Sequence, residues 1–139
     1  MLEMIEETAA FLSAKMPRPP RIGLITGTGL GGITAQMETD LRIPYSDIPN
    51  FPQSTTVGHR GILAFGKCAG RPVVAMEGRF HIYEGYTAQQ VAFPIRVMAK
   101  LGVEVLLISS AAGGLNPQFE NGDLMIVSDH INLTGQNPL

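Results

Sequence analysis

The sequence predicts an α/β fold, a mixed, largely parallel sheet flanked by helices. Short apolar runs rich in β-branched residues alternate with amphipathic stretches of helical period, as they do where helices connect strands. Three of these runs lead directly into glycine-rich or charged loops, where α/β proteins place their binding groups. The helices are too few to cover both faces of such a sheet, so we expect the architecture within these 139 residues to be incomplete.

The helices are predicted from apolar spacing and from their end signals. Residues 2–16 carry apolar side chains at helical spacing, and the prolines that begin at Pro17 end this helix. Thr87 and Gln90 have the spacing of a capping box, so a second helix starts there and ends at Gly102. Pro94 should kink this helix or mark the first turn of its main segment. A short helix is predicted over residues 33–37.

The strands are predicted from short apolar runs bounded by turn residues. They cover residues 21–26, 62–65, 72–76, 103–108 and 124–127. The second and third form a hairpin around Gly70. Residues 103–108 are a continuous apolar run, which is typical of a central parallel strand. By contrast, Pro44 and Pro49 argue against a central strand over residues 43–49.

Composition excludes several classes of protein. A net charge of −2 provides no basic surface for nucleic acid, so we expect no nucleic-acid partner. The longest apolar run is far too short to span a bilayer, and the start of the chain lacks the pattern of a signal peptide. We therefore expect a cytoplasmic protein without a membrane contact. The single cysteine, Cys68, excludes an internal disulfide and a cysteine-based zinc site, and we expect no metal.

A glycine-rich loop at residues 27–32 is the first candidate anion site. Gly27, Gly29 and Gly32 match the pattern G-x-G-x-x-G directly after a strand, where backbone N–H groups can bind phosphate. The dinucleotide-binding version also requires an acidic residue about 20 positions later, and Asp47 has roughly that spacing. Asp47 lies in a proline-containing segment, so a dinucleotide-binding oxidoreductase remains an alternative that the sequence does not favour.

The second candidate is the charged cluster at residues 77–86, which follows an apolar strand. A guanidinium such as that of Arg79 suits bidentate binding of phosphate or carboxylate. A histidine such as His81 can donate to an anion, and Tyr83 offers a flat apolar face with a polar tip. The simpler interpretation is a surface network of arginine and glutamate around an ordinary loop.

Two further stretches make that simpler interpretation less attractive. His59 lies between glycines at the start of a predicted strand, where it could contact an anion. Residues 109–114 are small and follow the most apolar strand, so backbone N–H groups there could approach a ligand closely. Tight packing of the strand end is an equally good explanation for the second stretch alone.

These stretches together resemble the trimeric, low-molecular-mass purine nucleoside phosphorylases. The matching motifs, in chain order, are Gly27-Thr28-Gly29-Leu30-Gly31, Gly58-His59, Gly78-Arg79-Phe80-His81-Ile82-Tyr83-Glu84-Gly85-Tyr86, Ala111-Ala112-Gly113-Gly114-Leu115-Asn116-Pro117 and Asp129-His130-Ile131-Asn132. The resemblance runs from the first strand to the last residue, and the motif from Gly78 to Tyr86 is highly specific. The related methylthioadenosine phosphorylases match less well at that motif.

The resemblance implies a role for each matching residue. The implied phosphate-binding residues are Thr28, His59, Arg79, Phe80, His81 and Ala111, the last through its backbone N–H. Tyr83 would face the ribose, Ala112 and Gly113 would lie beside the base, and His81 would be the catalytic group. Thr28 stands where the family commonly has serine, which keeps the hydroxyl, and Ser110 stands where it often has asparagine.

The resemblance also implies the reaction, which is reversible phosphorolysis of purine nucleosides to free purine and ribose 1-phosphate. The expected partners are a purine nucleoside and inorganic phosphate in a homotrimer, with phosphate as co-substrate and no other cofactor. Chains of this family are much longer, so residues 1–139 would be the N-terminal portion of a single domain, without the purine-reading groups. We expect this portion alone to be inactive. A non-catalytic fragment and a methylthioadenosine phosphorylase-like enzyme remain alternatives.

Overall fold

A computed structural model describes residues 1–27, 32–53 and 61–138. It contains one five-stranded sheet and three α-helices among the described residues. The helices are α1 (Leu2–Lys15), α2 (Gly32–Ala35) and α3 (Ala88–Lys100). The strands are β1 (Ile22–Ile25), β2 (Glu38–Pro44), β3 (Ile62–Cys68), β4 (Arg71–Glu77) and β5 (Val105–Ile108). No described helix is both long and apolar enough to cross a membrane.

The sheet has the strand order β2-β3-β4-β1-β5. β1 pairs in parallel with β4 and with β5, whereas β3 pairs antiparallel with β2 and with β4. The predicted mixed sheet flanked by helices is confirmed, with parallel pairing confined to the β4-β1-β5 half. The carboxyl ends of those three strands lie at one edge of the sheet, so the segments that follow them are neighbours.

The main core lies between one face of the sheet and helices α1 and α3. Leu12 of α1, Val97 of α3 and Val74 of β4 are all at most 1% exposed there. A second, smaller cluster on the opposite face contains Leu24, Met37, Val73 and Ala75. Helices therefore cover one face of the sheet far more completely than the other, as expected from the small number of predicted helices.

β2 was not predicted as a strand. The prolines that argued against a central strand are compatible with the observed position of β2 at the edge of the sheet. Pro44 is its last residue, and the pairing with β3 shifts in register between Thr39 and Leu41. Edge strands tolerate proline and bulges because one side of the strand needs no hydrogen-bond partner within the sheet.

The prediction that residues 103–108 form a central strand is wrong for this chain. The strand begins at Val105 and lies at the sheet edge, where no described strand pairs with its outer side. Val105, Leu107 and Ile108 are 52%, 55% and 60% exposed. The apolar run is typical of a strand covered on both sides, but the residues that would cover it are not among those described.

The predicted strand at residues 124–127 is also absent. These residues have no regular structure, and Leu124 and Ile126 are 90% and 96% exposed. A strand forms only where its backbone groups find partners in a neighbouring strand, and no described strand pairs with this segment. The apolar pattern of residues 124–127 therefore does not lead to a strand among the described residues.

Candidate active site

The ends of β1, β4 and β5 bring Gly27, Arg79 and Ser109 into contact. The Gly27 N–H donates to Ser109 Oγ at 3.1 Å, and Arg79 Nη1 donates to the Ser109 carbonyl oxygen at 2.9 Å. Ser109 itself is fixed because its N–H donates to the Ile25 carbonyl oxygen at 3.0 Å. Arg79 is thereby held across three strand ends that are distant in sequence.

Gly27 is required by this close approach. A Cβ atom added at Gly27 would lie 2.6 Å from the Ser109 carbonyl oxygen and 3.2 Å from Arg79 Nη1. No side chain fits without moving the backbone that holds Arg79. The first glycine of the predicted loop therefore has a steric role in the site. Residues 28–31, which include the predicted phosphate ligand Thr28, lie outside the described residues, as does His59.

Arg79, His81 and Glu84 form a hydrogen-bonded chain. Arg79 Nε donates to His81 Nε2 at 3.2 Å, and His81 Nδ1 lies 2.8 Å from Glu84 Oε1. The ionised carboxylate of Glu84 can only accept, so Nδ1 carries the proton and Nε2 keeps its lone pair toward Arg79. This arrangement fixes the tautomer of His81 and orients its ring beside the guanidinium.

The local sequence explains how this chain is built. His81 caps a 3₁₀ turn at Ile82–Glu84, and Glu84 Oε1 also accepts from the His81 backbone N–H at 2.9 Å. Gly85 then ends the turn at φ +93°, a conformation that favours glycine. The Glu84 side chain is only 3% exposed, so the carboxylate that orients His81 is shielded from water.

Tyr83 supplies an aromatic surface next to the histidine. Its ring stacks on the His81 ring with centroids 4.5 Å apart and planes inclined by 19°. The residue is 75% exposed, so the opposite face of its ring is open to a ligand. The apolar face of a sugar ring can pack on such a surface, so the predicted contact of Tyr83 with ribose is compatible with this geometry.

The side chain of Phe80 does not face the site. Phe80 is 3% exposed, and its ring centroid lies 5.2 Å from that of Tyr45 and 5.8 Å from that of Tyr86. Only the backbone of Phe80 could contact an anion, and its side chain anchors the motif in the core.

A partly buried ion pair lies at the end of β4, between Glu77 and Arg42. Arg42 Nη1 contacts both carboxylate oxygens of Glu77, at 2.8 Å and 2.9 Å, and the Glu77 side chain is 4% exposed. Because a buried carboxylate is stable only when it is paired, this contact compensates the negative charge of Glu77 two residues before Arg79.

The segment after β5 is open. Ala111, Ala112 and Gly113 are exposed, and a Cβ atom added at Gly113 would meet no atom within 4 Å. The predicted contacts of this segment with phosphate and base remain predictions. The segment follows Ser109 directly, so it begins at the same strand end as the group around Arg79.

The roles of Glu84 and of the Ser109 hydroxyl and carbonyl oxygen were not predicted from the sequence. Glu84 had a usable signal, since it follows His81 by the three positions of a capping box, the spacing recognised at Thr87 and Gln90. Ser109 had no such signal in the sequence, because its role depends on contacts with Gly27 and Arg79 that only the sheet order creates.

The site and the fold together are those of an α/β protein that places charged groups at its strand ends. Comparison with known proteins gives the family. Residues 21–139 match the family described as the phosphorylase superfamily, and the chain belongs to that family. Within it, the chain is similar to purine nucleoside phosphorylases, which confirms the resemblance described above. It is 58% identical to purine nucleoside phosphorylase 1 of Geobacillus stearothermophilus, over 97% of this chain and 49% of that protein.

Solved structures give the same result. A crystal structure of purine nucleoside phosphorylase in complex with ribose 1-phosphate superposes with a TM-score of 0.82 and 49% identity, covering 88% of this chain and 45% of that one. A Schistosoma purine nucleoside phosphorylase in complex with hypoxanthine gives a TM-score of 0.81 and 47% identity, covering 88% of this chain and 42% of that one. This chain spans about half the length of the relatives it matches.

Proposed function

We propose that this chain supplies the phosphate-binding and sugar-binding part of a purine nucleoside phosphorylase. The observation that carries the proposal is the Arg79–His81–Glu84 chain, held against Gly27 and Ser109 at the carboxyl ends of parallel strands. A fixed guanidinium beside an oriented imidazole suits a tetrahedral dianion. Relatives named purine nucleoside phosphorylase, one of them solved with ribose 1-phosphate, support the choice of reaction.

The reaction that we propose transfers the sugar from a purine to phosphate. A phosphate oxygen forms a bond to the anomeric carbon while the bond from that carbon to the purine nitrogen breaks. The electron pair of the broken bond leaves with the purine, which then takes up a proton. Positive charge develops on the sugar, and a phosphate dianion held beneath the ring stabilises that charge. Arg79 therefore contributes by fixing the position of the phosphate, and His81 contributes by orienting the Arg79 guanidinium.

The remaining assignments belong to the same proposal. Thr28, His59, the Phe80 backbone and the Ala111 N–H complete the phosphate site, and His81 is the catalytic group because its ring lies beside Arg79. We further propose that Tyr83 contacts the ribose, with Ala112 and Gly113 beside the base. The enzyme would act as a cytoplasmic homotrimer, with phosphate as co-substrate and no metal or organic cofactor.

A phosphate-dependence assay tests this function. The test protein joins residues 1–139 to the half of the G. stearothermophilus relative that this chain does not match. Hypoxanthine should be released from inosine only when phosphate is present, with one ribose 1-phosphate formed for each base. Release of base without phosphate would contradict phosphorolysis. Methylthioadenosine as the preferred substrate would favour the related phosphorylases, and binding of NADH without phosphate would favour an oxidoreductase.

A further inference from the structure

Tyr45 is a buried tyrosine that hydrogen-bonds to the backbone directly before Arg79. Its hydroxyl donates to the Gly78 carbonyl oxygen at 2.7 Å, and the residue is 1% exposed. Gly78 has φ +109°, in the region that favours glycine, and it marks the point where the chain turns out of β4. The hydrogen bond from Tyr45 therefore holds Gly78, the residue that sets the direction of the chain between the end of β4 and Arg79.

The backbone of Tyr45 also joins the start of β3 to this point. The Tyr45 N–H donates to the Gly61 carbonyl oxygen at 2.8 Å, and the Gly61 N–H donates to the Glu77 carbonyl oxygen at 3.0 Å. Gly61 directly follows residues 54–60, which carry the predicted phosphate ligand His59. Tyr45 thus connects the end of β4, which precedes Arg79, with the start of β3, which follows His59 in the sequence.

The ring of Tyr45 packs against Phe80, the residue that directly follows Arg79 in the sequence. Its centroid lies 5.2 Å from that of Phe80, with the planes inclined by 54°. The two sequence neighbours of Arg79 are therefore both fixed by Tyr45, Gly78 through the hydroxyl and Phe80 through the ring. Packing alone would fix only Phe80, so the hydroxyl has a separate role that a Tyr45→Phe variant isolates.

The hydroxyl is a permanent donor at neutral pH. Burial, and secondarily the negative charge of Glu77, raise the pKa of Tyr45 far above its ordinary value. The Gly78 carbonyl oxygen thus has a neutral, protonated partner throughout the range in which phosphate is a dianion.

We propose that Tyr45 is a positioning residue for the phosphate site, which acts through Arg79 without touching the substrate. It fixes the backbone before and after Arg79 and joins that backbone to the start of β3. The guanidinium then meets phosphate in one orientation instead of several, which reduces the ordering needed on binding. This inference rests on the proposed function of Arg79 as a phosphate ligand.

The experiment measures phosphate affinity by isothermal titration of inorganic phosphate into the chimera of residues 1–139 with the G. stearothermophilus half. Tyr45→Phe should weaken phosphate binding about tenfold, the effect of losing one buried hydrogen bond that organises a charged contact. The control is Val97→Ala in α3, a core truncation at a residue that is 1% exposed. It should lower the melting temperature and leave phosphate affinity unchanged. The phosphate KM of the chimera with the G. stearothermophilus half provides a second measurement of each variant.

A double-mutant cycle with Arg79 separates this inference from the proposed function. In an Arg79→Ala background, Tyr45→Phe should have no further effect on phosphate binding, because the group that it positions is gone. If Arg79→Ala weakens phosphate binding and Tyr45→Phe does not, the positioning role is wrong and the proposed function stands. If neither Arg79→Ala nor Tyr45→Phe changes phosphate affinity, both are wrong. Equal, additive effects of Tyr45→Phe in both backgrounds would overturn the claim that Tyr45 acts through Arg79.

Discussion

Arg79 is the residue on which the proposed chemistry depends most. Its guanidinium donates to His81 and to the Ser109 carbonyl oxygen, so its plane is fixed before a ligand arrives. His81 is fixed in turn by Glu84, whose carboxylate is almost completely buried. An arginine that is held in place loses less conformational freedom on binding an anion than one on an open surface.

Arg79→Ala should raise the phosphate KM of the chimera and lower kcat/KM by about 10²-fold, because a charge-assisted contact contributes roughly 2–3 kcal/mol. Arg79→Lys should restore only part of the loss, since an ammonium cannot make a bidentate contact. Arg71→Ala is the matched control, an exposed arginine at the start of β4, whose other end precedes Arg79. Steady-state kinetics that show equal phosphate KM values for Arg79→Ala and Arg71→Ala would refute the role.

Tyr45 predicts a pH dependence of stability. Because its pKa is higher in the folded state than its ordinary value of 10.0, the folded protein retains a proton that the unfolded chain loses above about pH 10. The contribution of Tyr45 is complete below that pH. Above it, the free energy of unfolding should fall by about 1.4 kcal/mol per pH unit. Urea unfolding at pH 8 to 11 should show a shallower decline for Tyr45→Phe, and parallel declines would contradict the assignment.

Residue types in the sequence were sufficient to select Arg79, His81 and Tyr83 as candidates. They were insufficient for Ser109, because its carbonyl oxygen reaches Arg79 only through the neighbouring positions of β1, β4 and β5. Phe80 shows that the side chain of a residue inside a binding motif can pack in the core, which its residue type alone did not reveal. Local motifs identify the charged groups, whereas their supporting contacts depend on the fold.

At the scale of elements, local signals predicted helices and the hairpin well. The capping box at Thr87 starts α3 as expected, and Gly70 lies in the turn between β3 and β4. Pro94 lies inside α3 and is buried, so packing on the core tolerates it within the helix. The position of β5 at the sheet edge could not be predicted, because an apolar run does not reveal how many neighbours a strand has.

The close approach of β1 to β5 gives a prediction for this pair of elements. Gly27→Ala places a Cβ atom against the Ser109 backbone, so it should destabilise the fold by about 1–3 kcal/mol and weaken phosphate binding at least tenfold. Gly23→Ala within β1 is the control, because the three nearest atoms to its Cβ would all be side-chain atoms, of Leu106, Met98 and Val103. Calorimetry should show lower stability in both variants and weaker phosphate binding only in Gly27→Ala.

The whole chain exposes much apolar surface. Leu115, Leu124 and Ile126 are at least 90% exposed, and the side chains of β5 are more than half exposed at three positions. Large exposed apolar patches mark surfaces that another polypeptide covers, or that aggregate when nothing covers them. The relatives are about twice as long as the matched region, so their other half is available to cover such a surface.

Residues 1–139 alone should therefore show no turnover of inosine. The proposed site would supply contacts for phosphate and one tyrosine for the sugar, but no described residue at that site would stabilise the departing base. Stabilising that negative charge contributes several kcal/mol in reactions of this kind. The purified chain should also sediment as aggregates, whereas the chimera should be active and monodisperse. Robust turnover by the 139-residue chain would show that the base site lies within it.

The central claim is that phosphate binds at the carboxyl ends of β1, β4 and β5, around Arg79. The most direct measurement is a crystal structure of the chimera grown with phosphate and a non-hydrolysable purine nucleoside analogue. Phosphate should lie within hydrogen-bonding distance of the Arg79 guanidinium, with the sugar of the analogue next to Tyr83. Phosphate bound at another place, with the Arg79 guanidinium still bonded to Ser109 and His81 and making no contact with phosphate, would contradict the account.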